Sequence, residues 1–328
     1  MSQAKIVGTG VYLPGKILAN ADLEKIVDTS DEWIVTRTGM KERRIASEKE
    51  TTSFMGIEAA KKAMEDAHVT TDQIDLILVA TLSADYLFPS TACLVQAGLQ
   101  AEGVAALDIQ AACSGYVYGL SIAKAYVESG MYRRVLLIAS EKLSTITDYQ
   151  DRSTCVLFGD GACAAVIAKE GKGFVIEGVV LGADGKQKDI LHMPAGGTML
   201  PASRETVEQR LHFIKMEGKE VYKHAVRRME AAAEQCLQQI GCREKDISYL
   251  VPHQANMRII ESLAKRFEVP MEKVFITIHK YGNTSASACG IAFDELVKED
   301  KLQAGDKVLL VAFGAGLTWG AAIVTKEG

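Results

Sequence analysis

Gln73-Ile74-Asp75-Leu76-Ile77-Leu78-Val79-Ala80 and Asp246-Ile247-Ser248-Tyr249-Leu250-Val251-Pro252-His253 read as two versions of one segment, a polar lead-in followed by a short apolar run. Ile74 and Ile247 stand 173 positions apart (247 − 74 = 173). Val135-Leu136-Leu137-Ile138-Ala139 and Val308-Leu309-Leu310-Val311-Ala312 keep the same spacing (308 − 135 = 173). Each member of the first pair follows an amphipathic helix pattern, around Ile57 to Ala67 and around Tyr222 to Ile240. Each member of the second follows a surface turn, Ser129-Gly130 or Ala304-Gly305. A constant offset held from Ile74 to Val135 points to internal duplication. Apolar runs alternating with helices indicate an α/β architecture, with strands buried on both faces. The expected halves are 1–173 and 174–328, with helices packed between and outside two sheets.

The bulk properties narrow the function. A chain of 328 residues can bury a core that needs no staples. A net charge of −5 argues against nucleic acid as a general partner. Seven cysteines without a C-x-x-C pair fit neither a disulfide framework nor a zinc site, so no metal is expected; no permanently bound cofactor is expected either. Met1-Ser-Gln-Ala-Lys runs directly into a strand-like segment, so no signal peptide is expected. No apolar run approaches the roughly 20 residues that a bilayer requires. A cytoplasmic location without a membrane partner follows as the expectation. Phe158-Gly-Asp-Gly-Ala lacks the Gly-Lys-Ser/Thr ending of a phosphate loop. Gly8-Thr-Gly-Val-Tyr-Leu has Leu13 where a dinucleotide fingerprint needs its third glycine.

Three polar residues then stand out at strand-to-helix junctions. Cys113 ends Leu107-Asp-Ile-Gln-Ala-Ala and opens a helical pattern, where aligned N–H groups would lower a thiol pKa. His253 follows the strand-like Tyr249 to Pro252 and precedes a helix pattern at Asn256 to Phe267. Asn283, beside Gly282 and a run of small residues, is either a turn asparagine or an uncharged donor. The offset of 173 carries Cys113 to Ala286, so the nucleophile comes from one half and both donors from the other. Seams of that kind are where clefts form.

With these residues in place, the chain resembles the β-ketoacyl-acyl carrier protein synthase III family, condensing enzymes of the thiolase superfamily. The likeness runs through Gly8-Thr-Gly-Val-Tyr-Leu-Pro, Asp31-Glu-Trp-Ile-Val-Thr-Arg-Thr-Gly and Glu42-Arg-Arg-Ile. It continues through Phe88-Pro-Ser, Ala112-Cys-Ser-Gly, Phe158-Gly-Asp-Gly-Ala, His253-Gln-Ala-Asn, Gly282-Asn-Thr-Ser and Phe313-Gly-Ala-Gly-Leu-Thr-Trp-Gly. The resemblance implies a thiolase-like five-layered αβαβα fold and a homodimer. It also implies a ping-pong decarboxylative condensation of a short acyl-CoA, acetyl-CoA first, with malonyl-acyl carrier protein to start fatty acid synthesis. In it, Cys113 takes the acyl group, while His253 and Asn283 stabilise the enolate formed as CO2 leaves. Backbone N–H groups of Cys113 and Ala315 would form the oxyanion hole. The alternatives are a relative in secondary metabolism with another primer or acceptor, or a non-catalytic subunit, against which the intact trio speaks.

The same resemblance implies the binding surfaces. Trp33 and Arg152 would sandwich the adenine of CoA, with Thr29, Arg37 and Asn256 nearby. Gln254, Ala255, Asn256 and Met257, followed by Arg258, Lys265 and Arg266, would meet the acidic carrier protein. The three cations are spaced to share one helical face. Phe88 would reach across from the partner subunit to limit the acyl pocket. Cys289, near Asn283 in sequence, reads as packing.

Overall fold

The computed structural model describes residues 3–328. The chain runs through β1 (Lys5–Tyr12), β2 (Lys16–Ala19), α1 (Asn20–Leu23), α2 (Asp31–Thr38), β3 (Glu42–Ile45), α3 (Thr52–Asp66) and β4 (Leu76–Ala80). It continues with α4 (Thr91–Gly98), β5 (Ala105–Ile109), α5 (Gly115–Ser129), β6 (Arg134–Glu141), α6 (Arg152–Cys155) and β7 (Gly161–Ala168). Then follow β8 (Phe174–Ala183), β9 (Leu191–His192), α7 (Arg204–Glu208), β10 (Lys215–Met216), α8 (Gly218–Gln239), β11 (Tyr249–Pro252) and α9 (Met257–Arg266). Last come α10 (Ile278–Tyr281), α11 (Ala288–Lys298), β12 (Lys307–Gly314) and β13 (Thr318–Lys326).

The repeat holds residue for residue where it matters most. β4 and β11 begin at Leu76 and Tyr249, and β6 and β12 at Arg134 and Lys307; both pairs differ by 173 (249 − 76 and 307 − 134). The tight turns Ala112–Ser114 and Ser285–Ser287, which lead into α5 and α11, share that offset (285 − 112 = 173). So do the two non-glycine residues that open them in the left-handed region, Ala112 at φ 45° and Ser285 at φ 52°. The strand order is also repeated, β1-β7-β6-β4-β5 against β8-β13-β12-β11, with a single parallel bridge from Leu250 to Val274 in place of the last strand. One point differs from the expectation of two sheets. β1 and β8 pair at Lys5↔Val175 and Ile6↔Phe174, so hydrogen bonding runs unbroken through nine strands.

Strand alternation separates the layers. On β4, Leu76, Leu78 and Ala80 face a central core with Leu137 of β6 and Leu310 of β12, while Ile77 and Val79 face α3 and α4. On β12, Leu309 and Val311 turn to α8 and α9. The central core is filled by α5 and α11, including Val117, Leu120, Ile291 and Phe293. Helices, sheet, helices, sheet, helices is therefore the layering that these faces dictate. α3 buries Met55, Ala59, Ala63 and Met64 at helical spacing and is started by Thr51, whose hydroxyl accepts from the Phe54 N–H. Burying a side chain the size of Met55 stabilises by about 1.5–3 kcal/mol. Parallel β4, β5 and β6 all point their C-terminal ends the same way, as do β11 and β12. That end is where α/β sheets place their chemistry.

Candidate active site

Cys113 lies just beyond the end of β5, in the turn Ala112–Ser114 that starts α5, and is buried. The preceding Ala112 holds a positive φ that costs an alanine about 1 kcal/mol or more, so the surrounding structure imposes this turn. Gly314, at the end of β12, presses on it: a Cβ there would lie 2.5 Å from the Cys113 backbone nitrogen and 3.2 Å from its Cα. The Ala315–Leu317 turn follows, so the Ala315 segment sits against the Cys113 amide. Thr318 ties the two turns together, donating from Oγ1 to the Ala111 carbonyl at 2.8 Å, while Ser114 Oγ meets Thr318 Oγ1 at 2.6 Å.

Burial pushes the Cys113 thiol up to about 12, and a contact with the Ser285 hydroxyl offsets part of that rise. The helix N-terminus acts in the lowering direction that its position suggests. Burial, the largest influence on the thiol, runs against the lowering expected from the helix N-terminus.

His253 follows β11, its backbone N–H donating to the Val311 carbonyl at 2.7 Å. The ring is buried, and neither Nδ1 nor Nε2 has a partner. Burial pulls its pKa down to about 4, so the imidazole is neutral at pH 7 and carries one N–H. Asn283 is held by its backbone, donating to the Leu157 carbonyl and accepting from the Gly159 N–H. Its side-chain Oδ1 accepts from the Ser285 N–H at 2.9 Å, which fixes the amide flip and turns Nδ2 outward as a donor. Phe158-Gly-Asp-Gly thus serves as a brace. Its Asp160 carboxyl accepts from Ala46 N–H and from Ser144, locking the loop that carries Asn283.

The structure brings the Cys113 turn together with the Ser285–Ser287 turn and with Gly314. Cys289 sits behind them, fully buried between the Val251 and Val311 carbonyls. Sequence reading passed over Glu141, Ser285, Ser114 and Thr318. Glu141 had a signal, an acid two residues after the apolar run Val135–Ala139.

The outer residues divide. Arg152 stacks on the Trp33 ring at 4.3 Å from its centroid, so a nucleotide base entering between them must part the pair. Thr29 carries a buried hydroxyl without a partner, and Arg37 is exposed, its carbonyl accepting from Asn256 Nδ2 at 3.1 Å. Asn256 also caps α9 through the Arg258 N–H. Ala255 and Met257 are half-buried, with Met257 against Gly39. Gln254 is corrected from a docking residue to a structural one. It is buried, and its amide joins the carbonyls of Pro252 and Phe275 to the N–H groups of Thr277 and Ile278. The even basic face is corrected too, because Arg266 is paired with Glu230 and Glu234 of α8. Arg258, over the Tyr222 ring, and Lys265 remain as exposed cations. Phe88 is 86% exposed and lines nothing in its own chain.

Two surface clefts of about 370 and 540 Å³ open near Val7, Asp66 and Lys172, at the opposite ends of the strands, and neither is lined by cysteine or serine. No helix is long and apolar enough to cross a membrane, and no group of three or more His, Cys, Asp or Glu suited to a metal occurs among the described residues.

Known proteins are similar to this chain in sequence and in fold. Residues 107–185 match the family model 3-oxoacyl-[acyl-carrier-protein] synthase III, and residues 237–326 match the model of its C-terminal part. A β-ketoacyl-[acyl-carrier-protein] synthase III of Chlamydia trachomatis serovar D is 59% identical, with 99% of both chains covered. The crystal structure of 3-oxoacyl-[acyl-carrier-protein] synthase III from Aquifex aeolicus superposes with a TM-score of 0.90 at 49% identity, covering 98% of this chain and 99% of that one. The priming β-ketosynthase of the R1128 polyketide pathway superposes with a TM-score of 0.90 at 36% identity, covering 99% and 97%. With relatives of this identity matching from end to end, the chain belongs to the β-ketoacyl-[acyl-carrier-protein] synthase III family.

Proposed function

We propose that this chain joins a short acyl-CoA, acetyl-CoA first, to malonyl-acyl carrier protein with loss of CO2, giving the 3-oxoacyl-carrier protein that starts a fatty acid. The observation that carries the reading is His253. A buried ring with both nitrogens unpartnered costs about 1–3 kcal/mol per lost hydrogen bond unless a substrate atom meets it.

In the first half-reaction, Cys113 attacks the acyl-CoA carbonyl, CoA leaves, and the acyl group stays on sulfur. The tetrahedral oxyanion is met by the N–H groups of Cys113 and Ala315, whose close approach requires the bare backbone of Gly314. In the second, the malonyl thioester oxygen accepts from the neutral His253 ring and from Asn283 Nδ2. As CO2 departs, that oxygen gains charge, and the two donors stabilise the enolate. The carbanion attacks the acyl-Cys113 carbonyl and frees the sulfur. A neutral imidazole suits this task, because its N–H is a far weaker acid than that of an imidazolium and stabilises the enolate oxygen by hydrogen bonding rather than by protonating it.

Trp33 and Arg152 hold the CoA adenine, with Thr29, Arg37 and Asn256 about the rest of the nucleotide. Arg258 and Lys265 guide the acidic carrier to the mouth. The division into 1–173 and 174–328 is supported by β8 starting at Phe174. A homodimer follows from the exposed apolar run Tyr86, Leu87 and Phe88, which would cap the partner's acyl pocket. The test is to supply acetyl-CoA, longer and branched acyl-CoAs, and malonyl-carrier protein, and to weigh the carrier product. 3-Oxobutyryl-carrier protein from acetyl-CoA supports the reading. Turnover only with another primer or acceptor overturns it.

A further inference from the structure

Glu141 ends β6 fully buried beside the Cys113 pocket, and the reaction described above gives it no role. Its Oε2 accepts from Ser83 Oγ at 2.6 Å, Thr81 Oγ1 at 3.1 Å, Leu82 N–H at 3.1 Å and Ser83 N–H at 3.2 Å. Oε1 has one long contact, from Leu82 N–H at 3.4 Å. That lopsided set leaves Oε1 with a single long partner, and the Ser285–Ser287 turn packs against β6.

Ser285 is buried and held at φ 52°, a conformation that costs a serine energy. Its hydroxyl makes no hydrogen bond of regular geometry, while the turn that carries it packs on both the Cys113 turn and β6, and it pulls down both the Cys113 thiol and the Glu141 carboxyl. We propose that Ser285 and Glu141 are positioning residues that form a proton relay serving Cys113, with Ser285 Oγ bridging Sγ and Glu141 Oε1.

The inference rests on the acyl transfer proposed above. As Sγ bonds to the acyl carbon, its S–H bond breaks and the proton passes to Ser285 Oγ, which gives its own proton to Oε1. CoA sulfur leaves with the electron pair of the broken C–S bond and is reprotonated as the proton returns. One thioester and one thiol become another thioester and thiol, so no co-reactant is needed. Burial pushes the Glu141 carboxyl up, and hydrogen bonds from Ser83, Leu82, Ser285 and Thr81 pull it back, which suits a transient acceptor. Glu141 from β6 and Cys289 from α11 are the titratable groups that act on the thiol. Lys142 turns away to the Ser47 carbonyl.

Glu141→Gln separates relay from scaffold. The amide oxygen can keep the four donors while its NH2 faces Ser285, so the framework stays but the proton has nowhere to go. The experiment measures pre-steady-state acylation by acetyl-CoA, the pH midpoint of Cys113 alkylation by iodoacetamide, and thermal stability, for wild type, Glu141→Gln, Ser285→Ala and the double variant. Loss of the like charge should lower the alkylation midpoint in Glu141→Gln, while acylation falls on the order of 10²-fold. Ser285→Ala should slow acylation similarly without lowering the midpoint, and the double variant should be no slower than either, as for groups acting as one unit. Acylation within about threefold of wild type in either variant overturns the relay. So does a parallel fall of acylation and alkylation, the mark of a structural role. Wild-type acylation in the same series tests the underlying reading separately.

Discussion

Replacing Gly314 by alanine isolates the contribution of the loop behind Cys113. Gly314 has an extended backbone, φ −149° and ψ −179°, which alanine adopts without strain, so the substitution acts through space alone. The added Cβ would fall 2.5 Å from the Cys113 nitrogen, 3.1 Å from Ala112 Cβ and 3.2 Å from Cys113 Cα. These are backbone and Cβ atoms, so no rotamer change can make room. Relief requires the Ala315 turn to move away from the Cys113 amide by roughly 1 Å, enough to break a hydrogen bond aimed at one oxygen. Losing one such donor costs about 3–4 kcal/mol of barrier, a fall of roughly 10²- to 10³-fold in acylation. Overpacking itself should cost about 1–3 kcal/mol of stability. Stopped-flow acylation with acetyl-CoA, alongside denaturant unfolding, reads both. A folded Gly314→Ala enzyme acylating within about fivefold of wild type would refute the placement of the oxyanion hole.

The remaining predictions address other parts of the site. His253 is protonated near 6.5 when unfolded and near 4 when folded, so the unfolded chain takes up the proton first as pH falls. Stability present above pH 6.5 is therefore lost toward pH 4, and urea unfolding from pH 7.5 to 4.5 should cost wild type about 2–3 kcal/mol more than His253→Asn. Asn283→Asp removes the Nδ2 donor and should slow malonyl-carrier decarboxylation by about 10²-fold while acylation by acetyl-CoA changes far less, measured as two separate half-reactions. Trp33→Ala should raise the KM for acetyl-CoA about 5- to 30-fold and leave the KM for malonyl-carrier protein unaltered in steady-state kinetics. Arg258→Glu and Lys265→Glu should each weaken carrier binding in a salt-dependent way, while Arg266→Glu, already paired with α8 acids, should do so much less.

The duplication was legible because strands buried on both faces are short apolar runs that show whenever they recur at a constant offset. Ile74 with Ile247 and Val135 with Val308 sufficed to predict a repeat that the structure extends to the paired turns at Ala112 and Ser285. The continuous sheet was not legible, because β1 and β8 meet through only two residue pairs and neither carries a pairing signal in sequence. Cys113, His253 and Asn283 were legible as polar residues at junctions. Their environments were not: the thiol's high pKa comes from burial, a property of every element around it, whereas the local pattern shows only the helix N-terminus. Gln254 was assigned to docking by the resemblance alone, and only the return of residues 275–278 reveals the carbonyls and amides that its side chain joins. Arg266 misled because its acids lie on α8, 36 and 32 residues away. Glu141 marks the limit, since its partners come from the Thr81–Ser83 loop, 58 to 60 residues away.

Intact-protein mass spectrometry after mixing with acetyl-CoA tests the central claim most directly. The account predicts an acetyl adduct on wild type, mapped to the Cys113 peptide, absent from Cys113→Ala, and discharged when malonyl-carrier protein is added. A folded wild-type protein that takes up no acyl group from acetyl-CoA, or carries it on another residue, would contradict the account.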